Sequence, residues 1–121
     1  LQTATPNADQ LIERLRIEKQ AMLNQAKNEG FKLGVESSSN LSFQDFQNLE
    51  KRTRCGEVHF DDDSLEDLWQ FLSKRNDPNN WNFNSPGLMQ FLNTTPQAKG
   101  AFVEGWIEGV LSVWQNLKEQ V

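Results

Sequence analysis

The sequence predicts an all-α protein, a compact bundle of about five helices whose long first and last helices pack together through rows of glycine. Three observations carry that prediction. Apolar residues recur at three-and-four spacing over two long stretches, one opening at Asp9 and one at Pro96. The one candidate strand, Glu57 to Phe60, is too short to be more than an extended connector. A ten-residue pattern, A-x-x-E-G-[FW]-x-x-G-V, occurs once in each long stretch, at Ala26 to Val35 and at Ala101 to Val110.

Residues 1–8 show no periodicity and are read as a disordered or trimmed N-terminal segment, with 9–121 as a single helical domain. From Asp9 the positions Leu11, Ile12, Leu15, Met22, Leu23, Ala26 and Leu33 keep helical spacing, and nothing breaks it before Gly30 and Gly34. Ser37 to Asn40 is a loop signal. Ser42 then stands as an N-cap, with Asp45 at N3 and with Leu41 and Phe46 placed to staple the chain entry. The second helix is expected from Phe43 to about Arg54, its end marked by Lys51, Arg52, Arg54 and Gly56. Asp63 and Glu66 form another acidic N-terminal signature, and Leu65, Leu68, Trp69 and Leu72 share one face of a third helix ending near Arg75. Asp77-Pro78 stops it and an asparagine-rich loop follows. Ser85-Pro86 and Thr95-Pro96 each pair a capping side chain with a proline, which predicts a short helix from Pro86 to Leu92 and a long one from Pro96 to about Gln120.

The last helix is apolar around much of its circumference. Phe102, Val103, Trp106, Ile107, Val110, Leu111, Val113, Trp114 and Leu117 exceed one stripe, while Glu104, Glu108, Gln115 and Glu119 mark the polar strip. Such a helix is covered on several sides, so it is expected at the centre of the fold.

The repeated pattern is the strongest single signal. Each glycine in a helix interior costs about 1 kcal/mol relative to alanine. Ala26, Gly30 and Gly34 lie four apart on one face, as do Ala101, Gly105 and Gly109, and small residues in such rows let backbones come closer than the usual 8–10 Å or so. The rows are read as a tight crossing within the chain, with a self-complementary dimer seam as the alternative.

Charge and composition limit the function. The 121 residues carry 17 acids and 12 bases, a net charge of −5, and the bases form no stripe of the kind that would hold nucleic acid. Residues 9–36 are balanced at five acids and five bases, and the excess acid falls mostly between Asp45 and Asp63, where six acids oppose three bases. No apolar run is long enough to span a bilayer, and no signal segment opens the chain. A single Cys cannot form an internal disulfide, which fits a reducing, cytoplasmic setting.

No residues assemble a diagnostic active site. His59 with Asp61 to Asp63 suggests a metal or acid-base group, but Asp61, Asp63 and Glu66 fail as a calcium loop because Glu66 stands where glycine is needed and Leu72 where the last glutamate is needed. Cys55 and His59 are too few for a closed zinc site. No metal, cofactor or enzymatic activity is expected. Trp81 and Phe83, set in a polar loop, either plug the core or anchor a partner. The expected function is a non-enzymatic protein-interaction module, a regulatory or adaptor subunit that dimerises or binds another protein. The alternative is a small acidic inhibitor, of the immunity-protein or antitoxin type, whose Asp61, Asp62 and Asp63, with Trp81 and Phe83, block a basic partner such as a nuclease.

Overall fold

A computed structural model describes residues 8–52, 62–81, 83 and 87–121, with residues 62–64 described by their backbone alone. Five α-helices carry the fold: α1 Ala8–Ser37, α2 Phe43–Arg52, α3 Asp62–Arg75, α4 Leu88–Thr94 and α5 Pro96–Leu117. Helix α5 is the axis of the bundle, and α1, α2, α3 and α4 all pack against it. Phe102, Val103, Trp106, Ile107 and Val110 are buried there. Each such side chain contributes on the order of 1.5–3 kcal/mol by leaving water. From the other helices, Leu49, Leu68, Leu72, Leu88 and Leu92 close the core around them.

The two glycine rows face each other. A Cβ on Gly30 would overlap the carbonyl oxygen of Phe102 and lie 3.0 Å from its carbonyl carbon, while one on Gly105 would overlap the carbonyl oxygen of Lys27. One turn further on, Gly34 meets the Trp106 carbonyl in the same way and Gly109 meets that of Phe31. Gly105 therefore sits on Lys27 and Gly109 on Phe31, so α1 and α5 run in the same direction. Lys27 and Phe102 are corresponding positions of the repeat, as are Phe31 and Trp106, so the two copies clasp each other with a local two-fold symmetry.

The entry to α2 makes the expected capping box. The Ser42 N–H donates to Asp45 Oδ2 at 3.1 Å, and the Asp45 N–H donates to Ser42 Oγ at 3.1 Å. The same carboxylate ties α2 to α3, accepting from Arg75 Nη2 at 2.9 Å and Nε at 3.1 Å. The guanidinium lies 3.6 Å from the centre of the Phe71 ring. These contacts hold the Asp45 carboxyl below its ordinary pKa, chiefly through the Arg75 hydrogen bonds.

Several boundaries differ from expectation. Helix α2 is described only to Arg52, and Thr53 to Asp61, including the expected extended connector, lie outside the described residues. Helix α4 starts at Leu88 rather than Pro86, because Gly87 adopts φ 80° and cannot continue a right-handed helix back toward Pro86. Thr95 does precede Pro96 at the start of α5, but its hydroxyl makes no cap. Its carbonyl instead accepts from Ala98 and Lys99 at 3.0 and 3.2 Å. The α-helical part of α5 stops at Leu117, and a 3-10 turn covers Lys118–Gln120.

Helical periodicity in α1 does not translate into burial along its whole length. Its 30 residues span about 45 Å and the 22 of α5 about 33 Å. Since Lys27 already lies beside Gly105, the first three turns or so of α1 run past the start of α5. Leu11, Ile12 and Leu15 are between 36% and 48% exposed there, and Met22, level with the first turns of α5, is 41% exposed.

Candidate functional site

The six seam residues are used within the chain. Ala26, Gly30, Gly34, Gly105 and Gly109 are buried and Ala101 is half-buried, all along the α1–α5 contact. A second copy could reach these rows only by displacing one of the two helices. On one side of the crossing, Lys27 Nζ donates to Glu104 at 3.1 Å and lies 3.6 Å from Glu108. The hydrogen bond to Glu104 is the largest influence that raises the Lys27 pKa.

On the other side, the local symmetry puts Phe102 where Lys27 would be and Glu29 where Glu104 would be. Phe102 is wholly buried and carries no charge. Glu29 therefore lacks a cation from the facing helix. Its side chain is only 11% exposed, and its ion pair is with Lys32, one turn along α1, at 3.6 Å.

Glu29 opens onto a cleft of about 420 Å³. One wall is the face of α1 bearing Glu29, Lys32, Leu33 and Glu36, and the other comes from the end of α3 and the asparagine-rich loop, with Asn76, Asn80, Trp81 and Phe83. Trp81 is fixed by several contacts. Its Nε1 donates to the Asn76 carbonyl at 3.1 Å. Its ring lies 5.0 Å from that of Phe102 and 5.8 Å from that of Phe83. Asn76 is fixed in turn, its Nδ2 donating to the buried Ser37 Oγ at 2.6 Å. Trp81 and Phe83 thus rest half-buried on the core and lend ring surface to the cleft.

The acidic run of Asp61 to Asp63 has no described side chains. Asp61 lies outside the described residues, as do the side chains of Asp62 and Asp63, whose backbone forms the first turn of α3. Cys55 and His59 also lie outside. Among the described residues no group of three His, Cys, Asp or Glu could hold a metal ion. No described helix is long and apolar enough to cross a membrane.

Two features were missed in reading the sequence. One is the bare stripe on the first half of α1. The other is the cleft beside Glu29, whose signal was the mismatch between Lys27 and Phe102 at equivalent places in the repeat. Comparison with protein-family models, with characterised proteins and with solved structures finds no match.

Proposed function

We propose that the protein is a non-enzymatic interaction module, a regulatory or adaptor subunit, that docks another protein along the exposed apolar side of the first half of α1. One observation carries this reading: Leu11, Ile12, Leu15 and Met22 are exposed and continue the side of α1 that is buried against α5 further along. A helix offering an apolar stripe beyond its own core suits a partner that lays a groove or a second helix over it. The charges beside the stripe cancel, with Asp9, Glu13 and Glu18 against Arg14, Arg16 and Lys19. Such docking is apolar in character and weakens little with salt. A cytoplasmic setting accords with the single Cys55.

The test compares wild type with an Ile12→Glu/Leu15→Glu variant in cross-linked pull-downs from the host at low and high salt. The reading expects a protein captured by wild type at both salt concentrations and lost in the variant, whose thermal midpoint stays unchanged. The same proteins captured by both forms would contradict it.

A further inference from the structure

We infer that the cleft between α1 and the asparagine-rich loop is a receptor for an organic cation, the guanidinium of an arginine side chain on a partner protein. The repeat supplies the first reason. Its two copies meet symmetrically, and the crossing places a cation, Lys27, on Glu104. At the equivalent place on the other side stands the uncharged ring of Phe102, and among the described residues Glu29, at 11% exposure, has the 3.6 Å pair to Lys32 alone. That pair is longer than a charge-assisted hydrogen bond, so Glu29 has unused acceptor capacity for a cation entering the cleft.

The remaining walls select the kind of cation. Glu36 lies two turns along α1 on the same face, bringing a second carboxylate to the cleft. Asn76 and Asn80 bring amide groups with acceptor oxygens, and Trp81 and Phe83 bring aromatic surface. A guanidinium is flat, stacks on aromatic rings and offers five N–H donors in a fixed plane. A free ammonium matches the carboxylates but leaves the ring surface and the spread of acceptors less well used. About 420 Å³ is ample for one such side chain. Lys32, whose side chain is 63% exposed, acts as a resident competitor for Glu29.

That the arginine belongs to a protein rests on the function proposed above, whereas the chemistry of the cleft does not. The test therefore uses N-acetyl-arginine-N-methylamide, titrated into the full chain and followed by the Trp81 indole and backbone resonances of Glu29 and Asn80. Saturable shifts at these positions are expected, with the norleucine analogue giving none and the lysine analogue binding several-fold more weakly. Glu29→Gln should weaken binding by about tenfold, and Lys32→Gln should strengthen it. These opposite effects separate recognition from damage to the fold. Absence of saturable shifts in wild type, equal binding of the norleucine or lysine analogue, or an unchanged affinity in Glu29→Gln would overturn the inference. None of these outcomes depends on the stripe of α1, so the two proposals fail separately.

Discussion

Gly30 rests directly on the backbone carbonyl of Phe102, with no room for a side chain between them. The same holds for Gly105 on Lys27, Gly34 on Trp106 and Gly109 on Phe31. What gives way in each case is backbone, so a substitution cannot be absorbed by one side chain turning aside. Gly105→Leu should lower stability by about 3 kcal/mol or more. Thermal unfolding measures this, and an unchanged midpoint would show that α1 and α5 do not meet at that glycine.

Asp45 makes stability depend on acid. Its folded pKa lies below the ordinary 3.8, so the folded state binds fewer protons than the unfolded chain in that range. The contribution is present above about 3.8 and is lost as pH falls through the folded value. Asp45→Asn should cost about 2 kcal/mol at neutral pH, because Arg75 is left without its carboxylate. Part of the loss of stability on acidification should go with it. Urea unfolding between pH 7 and pH 2 checks both effects.

Ser37 joins three parts of the fold. Its hydroxyl donates to the Leu33 carbonyl at 2.7 Å and accepts from Asn76 Nδ2 at 2.6 Å and Trp106 Nε1 at 3.4 Å. Ser37→Ala strands two donors at a site that is 1% exposed. It should cost about 1–3 kcal/mol. It should also shift the Trp81 indole resonance, since Asn76 holds that ring in place.

Trp81→Ala removes a ring that packs on Trp69, Phe83 and Phe102. Half-buried, it should cost about 2 kcal/mol of stability, somewhat less than a fully buried aromatic. A variant as stable as wild type would show that the ring stands clear of the core.

The all-α bundle was legible because apolar spacing and caps are local signals. Ser42 with Asp45 and Thr95-Pro96 mark helix starts that the structure keeps, and the encircled apolar surface of α5 gave its central place. The glycine rows announced a close crossing, but spacing carries no direction, so the parallel alignment of Gly30 with Gly105 could not be read from it. Periodicity also fails to say how far a neighbour extends, which is why Leu11, Ile12 and Leu15 read like any core positions. The cleft needed both facts at once: only when the two copies are known to face each other does Phe102 in place of Lys27 leave Glu29 short of a cation.

Amide hydrogen exchange of the isolated protein tests the central claim most directly, namely that the two copies of the repeat clasp each other and leave the first half of α1 bare. Amides of Ala26 to Ser37 and of Phe102 to Trp114 should exchange only through global unfolding, while those of Ala8 to Gln20 exchange orders of magnitude faster through local fraying. Equal protection along the whole of α1 would contradict the account, because it would require a cover over Leu11, Ile12 and Leu15, which are 36–48% exposed.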